Sequence, residues 1–171
     1  MVAAGLSRVL GDEWALLRGY RNNRGEIDHL LLGPQGLIAI ESKHRNATVH
    51  CDGDQWWFEK YDRFGNLVDR GGIADKRGRS PSVQLNEPAS LLEGLLRSHG
   101  YPVSIQRVVL FTHPRSALGR CRNPSVHIAT SADYVIDLLN GSPPTLPAEQ
   151  LAQLEQLIAA HHRSGGARHS R

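Results

Sequence analysis

The sequence predicts a mixed α/β domain, and three observations indicate this fold class. Two short apolar runs, residues 27–32 and 37–41, flank a Gly-Pro-Gln-Gly segment, a pattern typical of a β-hairpin. An apolar stripe at helical spacing follows at residues 83–99. Residues 107–111 are nearly all apolar, as expected of a central strand that is covered on both faces.

Length and composition limit the classes of protein that the sequence fits. The 171 residues suit one domain, and 20 Lys+Arg against 17 Asp+Glu give a net charge of +3. With a pI near 9.1 the chain is mildly basic, which is compatible with a polyanionic partner without being diagnostic of one. Cys51 and Cys121 are far apart in sequence, so we expect neither a disulfide scaffold nor a zinc knuckle.

The N-terminal residues and the hydropathy pattern predict where in the cell the protein is located. The first residues lack the charged start and long apolar run of a signal peptide. The sequence has no stretch that approaches the roughly 18 apolar residues of a membrane span. We therefore expect a soluble, cytoplasmic protein.

The N-terminal half predicts a helix followed by paired strands. Residues 2–10 are expected to form the end of an amphipathic helix, and residues 14–20 a first strand. The two apolar runs around 33–36 form the hairpin. Residues 48–52 and 55–60 form a second candidate pair around an Asp-Gly-Asp turn.

The apolar pattern lapses at residues 61–80, which we interpret as a long polar connection. Because Pro88 interrupts the next helix, its regular part is expected to start there, after an irregular segment that contains Gln84. The later expectations are a strand at 125–129, helices at 132–139 and 150–162, and a frayed tail at 163–171.

The predicted division of the chain places a single domain at residues 1–141. A linker and a C-terminal amphipathic helix follow at 142–162. The apolar face of that helix suits a homodimer contact as well as it suits the core, so the oligomeric state stays open.

Charged residues in the hairpin strands predict a site. Asp28 interrupts the first apolar run, and Glu41 ends the second. Because side chains alternate along a strand, Glu41 and Lys43 point to the same face. A hairpin closed at 33–36 brings Asp28 alongside Glu41, so that two carboxylates and one ammonium group converge.

This residue set suits hydrolysis of phosphodiester bonds. Carboxylate oxygens are ligands for Mg²⁺ or Mn²⁺, and the backbone carbonyl of Ser42 is a candidate third ligand. Lys43 would orient the attacking water and offset charge in the transition state. The alternative is that these residues are ordinary solvated charges at strand ends, since a Glu-x-Lys sequence occurs by chance in most proteins.

Two further groups each allow two interpretations. The aromatic run at 56–58 either stacks on bases or places one tryptophan in the core and its neighbour at the surface, and the second is favoured. A basic group in the polar connection either contacts phosphates or is solvated and partly neutralised by Asp69 and Asp75. Its members are Arg70, Lys76, Arg77 and Arg79.

Residues 25–43, GEIDHLLLGPQGLIAIESK, resemble the core of the nuclease-related domain, or NERD, family. This family belongs with the PD-(D/E)xK, or restriction-endonuclease-like, nucleases. The similarity continues through residues 54–56, 80–84 and 108–112, and it covers about residues 6–140.

The resemblance implies an αβββαβ core with a central mixed sheet flanked by helices. It implies that Asp28 and Glu41 bind the metal, that Lys43 is the catalytic lysine, and that Gln84 borders the active site. Members of the family typically begin with a helix that bears a Gly-Glu pair. Here no acidic residue precedes Asp12, so the acidic contribution of that helix is expected either to be lost or to be supplied by a longer natural chain.

Three functional hypotheses follow. The first is a nuclease that hydrolyses DNA with Mg²⁺ or Mn²⁺ through Asp28, Glu41, Lys43 and Gln84. The second is a catalytically weak or inactive module on the same fold that binds nucleic acid or protein. The third, outside nucleic acids, is a small-molecule or structural α/β domain with fortuitous acidic residues in its strands. Loss of cleavage without loss of DNA binding on substitution of Lys43 separates the first from the other two.

Overall fold

A computed structural model describes residues 11–166, and it describes side chains as far as residue 162. The strands are β1 (Ala15–Asn22), β2 (Gly25–Gly33), β3 (Gly36–Lys43), β4 (Thr48–Asp52), β5 (Gln55–Tyr61), β6 (Leu67–Gly72), β7 (Ile105–Phe111), β8 (Ala117–Arg122) and β9 (His127–Ala129). The helices are α1 (Pro81–Ser98), α2 (Ala132–Asn140) and α3 (Ala148–Gly166). The predicted helix at 2–10 lies outside the described residues.

The larger sheet carries the predicted hairpin. Its strand order is β1-β2-β3-β7-β9, with antiparallel pairing from β1 to β3 and parallel pairing from β3 through β7 to β9. Gly33 pairs with Gly36 across a two-residue turn. Gly36 has φ +122°, a conformation that side chains with a Cβ rarely adopt, so glycine is required there. The mixed α/β class and the hairpin are both confirmed.

Both faces of this sheet are buried, which explains the unbroken apolar runs. On one face Leu37 and Ala39 join a cluster that includes residues of α1 and α3. On the other face Ile38 and Ile40 join a cluster that includes residues of α2 and β7. Neighbouring residues of β3 therefore enter different cores, as the alternation of side chains requires.

A second sheet, with strand order β6-β5-β4-β8, was not predicted as such. The pairing of β4 with β5 is confirmed, but the polar connection at 61–80 is wrong in part because it contains β6. Almost all residues of β6 and β8 are exposed. These edge strands are held by backbone hydrogen bonds to their neighbours and not by buried side chains. Because neither face is buried, their sequences show no alternation of apolar and polar residues.

Helix α1 begins at Pro81, so the prediction that its regular part starts at Pro88 is wrong. Ser80 caps the helix, and a proline occupies its first turn, where the missing N–H costs nothing. Pro88 lies within the helix and is buried. Burial of Leu85 and Leu92 on either side of it offsets the lost hydrogen bond, because each buried leucine contributes about 1.5–3 kcal/mol.

The remaining elements follow the predictions with shifted ends. The strand at 125–129 is shorter than predicted and is β9, whereas the helix at 132–139 is confirmed as α2. The backbone of α3 continues to Gly166, so the tail predicted from residue 163 begins too early. Over residues 11–166, none of the helices has the length and apolar character that crossing a bilayer requires.

Candidate functional site

The hairpin brings Asp28 next to the end of β3. The paired ladder between β2 and β3 ends at His29 and Ile40, one residue before Asp28 and Glu41. Beyond that point the backbone N–H of Ser42 donates to Oδ2 of Asp28, with an N–O distance of 2.8 Å. The side chain of Asp28 thus takes a hydrogen bond that a backbone carbonyl of β2 would otherwise accept.

Glu41 and Lys43 form an ion pair at the end of β3. Nζ of Lys43 lies 2.7 Å from Oε1 of Glu41, and the two side chains are 27% and 8% exposed. Their spacing of two residues places them on the same face as Leu37 and Ala39, which is the face packed against α1. A carboxylate that is so deeply buried requires a partner, and Lys43 provides one.

Gln84 reaches this pair from the first turns of α1. Nζ of Lys43 donates to its Oε1 at 2.9 Å, and its Nε2 donates to the backbone carbonyl of Arg79 at 2.8 Å. Both ends of the amide are therefore used, which fixes its orientation. The structure brings Glu41, Lys43 and Gln84 into one chain of contacts, with Asp28 on the neighbouring strand.

The electrostatics of the site disfavour the charged form of Glu41. Burial raises the pKa of Glu41, the hydrogen bond from Lys43 opposes this rise, and the charge of Asp28 adds to it. The buried carboxylate is therefore costly in its charged form, and a positive charge near it would lower that cost.

The donor atoms can be counted from the contacts. One oxygen of Asp28 and one of Glu41 take the hydrogen bond and the ion pair described above, which leaves a second oxygen on each carboxylate. The carbonyl of Ser42 leaves the strand on the same edge as its N–H, towards Asp28. Two carboxylates and a carbonyl are oxygen ligands of the kind that Mg²⁺ takes together with several waters. Among the described residues, however, there is no group of three or more His, Cys, Asp or Glu side chains that could hold a metal ion.

A polar network that the sequence reasoning did not assign lies behind Gln84. Oγ of Ser82 donates to Oδ1 of Asp54 at 2.6 Å and accepts from Nε1 of Trp56 at 3.0 Å. Ser82 is fully buried, and Trp56 lies in the core, as favoured from the sequence. The network ties the start of α1 to the turn between β4 and β5. The family resemblance includes both residues 54–56 and residues 80–84, which contain all three members of the network. The match of these two segments is the sequence signal that could have indicated it.

The basic group of the polar connection divides into two parts. Arg79 is paired with both Asp75 and Glu87, with N–O distances of 2.8 and 3.0 Å. The expected neutralisation by Asp75 is therefore present at Arg79, whereas Arg70, Lys76 and Arg77 are exposed.

The two cysteines, Cys51 and Cys121, are free and are register partners on β4 and β8, although they are far apart in sequence.

Comparison with family models decides the family. The model of the nuclease-related domain, NERD, matches residues 1–112, which is more than half of the chain. The chain belongs to the nuclease-related domain family. The matched range of the NERD model contains Asp28, Glu41, Lys43 and Gln84, together with the hairpin and the start of α1. Comparisons with curated proteins and with solved structures gave no significant match.

Proposed function

We propose that this NERD domain is a metal-dependent nuclease that hydrolyses the phosphodiester bonds of DNA. The observation that carries the proposal is the contact of Lys43 with both Glu41 and Gln84, at 2.7 and 2.9 Å, beside Asp28. Membership of a nuclease-related family gives independent support for nucleic acid as the partner.

Each residue has a role that its surroundings suit. Asp28 and Glu41, with the carbonyl of Ser42, would hold Mg²⁺ or Mn²⁺. When bound, the ion would polarise the scissile phosphate and acidify a coordinated water. Lys43 is half-buried, so its ammonium group can orient the attacking water and offset the charge that develops on the phosphate. Gln84 holds Lys43 in place through its own fixed amide.

One observation favours a second candidate, a weakly active or inactive binding module on the same fold. Over the described residues the acidic set at the site comprises two carboxylates, and clusters of three or more metal-binding side chains are absent. A smaller ligand set binds metal less firmly. The nuclease must bind and cut nucleic acid, whereas the module binds nucleic acid or protein and leaves the phosphodiester bond intact or cuts it only weakly.

The variant Lys43→Ala tests the enzyme against the binding module. Duplex DNA labelled with a fluorophore is incubated with wild type and variant in Mg²⁺, in Mn²⁺ and in EDTA. We expect wild type to cut in at least one metal and Lys43→Ala to cut about 10²–10³-fold more slowly, because a charge that stabilises the transition state is removed. DNA affinity measured in EDTA should change little.

Arg97→Ala is the matched control, since Arg97 is an exposed cation in the last turn of α1. It should retain the wild-type rate. Wild-type protein that binds DNA but leaves it intact in both metals would establish the binding module instead. Equal cleavage by wild type and Lys43→Ala would remove Lys43 from the chemistry.

A further inference from the structure

A cleft of about 520 Å³ opens at one end of the smaller sheet. Its walls are residues 46–48, which lead into β4, residues 60–63, which form the end of β5 and the turn that follows, and Arg115, which follows β7. None of the sites described above includes these residues.

The walls of this cleft are attached to the strand ends that carry the candidate active site. The backbone N–H of Thr112 donates to the carbonyl of Lys43 at 2.9 Å, which joins the ends of β3 and β7. Farther along, Oγ of Ser116 donates to the carbonyl of Arg45 at 2.5 Å, and Ala117 donates to Ala47 at 3.2 Å. Arg45 is two residues beyond Lys43, which is at most about 7 Å of extended chain.

The cleft is positively charged. Lys60, Arg63 and Arg115 line it and are exposed, and Arg45 is adjacent. These four cations form no ion pair within 4.0 Å with any residue in the described part of the chain. They contrast with Arg79 and Arg107, which are both paired with carboxylates.

The carboxylates near the cleft are largely occupied elsewhere. Asp62 lines it, but its oxygens accept from the backbone N–H groups of Phe64 and Asn66 and from Nδ2 of Asn66, within the turn. Glu59 accepts from the hydroxyl of Tyr61 and pairs with His50. Asp69, the register partner of Lys60, has no such hydrogen bond or ion pair with the described residues. The cations therefore outnumber the available carboxylates.

Aromatic rings hold two of the guanidinium groups. The guanidinium of Arg63 lies 4.6 Å from the ring centroid of Phe64, and that of Arg45 lies 4.5 Å from the ring centroid of Phe58. A guanidinium stacked on a ring keeps its N–H donors free at its edge. Such a group loses less conformational freedom when it binds a phosphate.

We propose that this cationic cleft binds the sugar-phosphate backbone of a nucleic acid strand on one side of the bond held at Lys43. The identity of the ligand rests on the proposed function, whereas the position of the cleft rests on the contacts above. Each unpaired cation would neutralise one phosphate and release condensed counterions. Contacts of this kind position the substrate and carry no sequence information.

The test compares two triple variants that remove the same charge. The cleft variant is Lys60→Ala with Arg63→Ala and Arg115→Ala. The control is Arg97→Ala with Arg120→Ala and Arg122→Ala, three exposed arginines that are not among the residues lining the cleft. Binding of a labelled DNA duplex is followed by fluorescence anisotropy in EDTA, where cleavage does not interfere, over a series of KCl concentrations.

We expect the cleft variant to bind at least tenfold more weakly at low salt. Its plot of log K against log salt should be less steep by about 2–3, since each lost phosphate contact removes about 0.9. The control should keep the wild-type slope within about one. Equal affinities and slopes for the two triple variants would overturn the proposal. The proposal would also be overturned if the cleft variant lost affinity for DNA and for a polyglutamate of the same charge by the same factor. That result would assign the cleft to acidic protein.

The outcomes for the cleft and for catalysis are separable. Wild type that binds DNA through the cleft but does not cut it in Mg²⁺ or Mn²⁺ would refute the nuclease and leave the cleft proposal supported. If wild type cuts DNA and the cleft variant keeps the wild-type affinity and slope, the nuclease proposal is supported and the cleft proposal is refuted. If the triple variant does not fold, Arg63→Ala alone, in the exposed turn, should still lower the slope by about 0.9.

Discussion

Glu41 is the residue at which stability and proposed function conflict. Its side chain is 8% exposed, and burial raises its pKa despite the ion pair with Lys43. The folded protein therefore holds a carboxylate whose charged form its surroundings disfavour. Sites that bind charge often retain such strain, and relieving it costs activity.

The variant Glu41→Gln should make this conflict measurable. In EDTA we expect it to be more stable than wild type by about 0.5–2 kcal/mol, because a buried charge is removed while the side chain keeps its shape. Urea unfolding measures the difference. Adding Mn²⁺ should raise the melting temperature of wild type and not of Glu41→Gln, since a ligand stabilises only the form that binds it.

Exposed Glu149→Gln is the control, and it should change neither quantity by much. A lower stability of Glu41→Gln in EDTA would mean that the pair with Lys43 outweighs the cost of burial. A metal-induced shift of equal size in both proteins would contradict the role of Glu41 as a ligand.

The start of α1 shows how an element is positioned for the site. Gln84 can contact Lys43 only if the first turns of α1 are held against the sheets. The network of Asp54, Trp56 and Ser82 provides that attachment, and Ser82 is its buried centre. A polar group in such a position stabilises the fold while it is bonded and destabilises it when its partner is lost.

The variant Ser82→Ala should destabilise the protein by about 1–3 kcal/mol. The substitution leaves Nε1 of Trp56 buried without its acceptor, and the cost of an unsatisfied buried donor has this size. Urea unfolding compares it with Ser104→Ala, at an exposed position that should be nearly neutral. Equal midpoints for the two variants would indicate that the network contributes no net stability.

The same elements explain what the sequence could and could not predict. The hairpin was predictable because its signals are local: two apolar runs, a turn and alternating faces. Strands β6 and β8 were not, since exposed edge strands carry no burial pattern. The start of α1 was misplaced because Pro88 breaks an isolated helix, whereas here tertiary packing overrides it. Gln84 came from the family resemblance, because no spacing rule relates it to a strand so distant in sequence.

At the scale of the whole molecule, the C-terminal helix is part of the main core. Leu154 and Ile158 of α3 are fully buried in the cluster that also contains residues of α1 and the hairpin. The hydroxyl of Tyr20 in β1 hydrogen-bonds to Nδ1 of His161 at 2.7 Å. The division after residue 141 therefore separates two parts that pack together, and we expect them to unfold as one unit.

Leu154→Ala and Ile158→Ala should each cost about 2–5 kcal/mol, because they leave cavities in the core. Exposed Gln156→Ala, on the same helix, should cost little. Unfolding is followed both by tryptophan fluorescence and by far-UV circular dichroism, and the two transitions should coincide. An early transition confined to part of the helical signal would show instead that α3 unfolds by itself.

The parallel pairing of β3 with β7 has a consequence for the time at which the site strand is completed. Leu37 lies beside Ile105 in the sheet. At about 5–20 residues per second, a ribosome takes several seconds to make the segment between them. During that interval β2 can pair with one edge of β3, but the other edge and the apolar side chains of residues 37–40 are uncovered. Until β7 is made, the strand that bears Glu41 and Lys43 thus presents an unpaired apolar edge that is prone to aggregation.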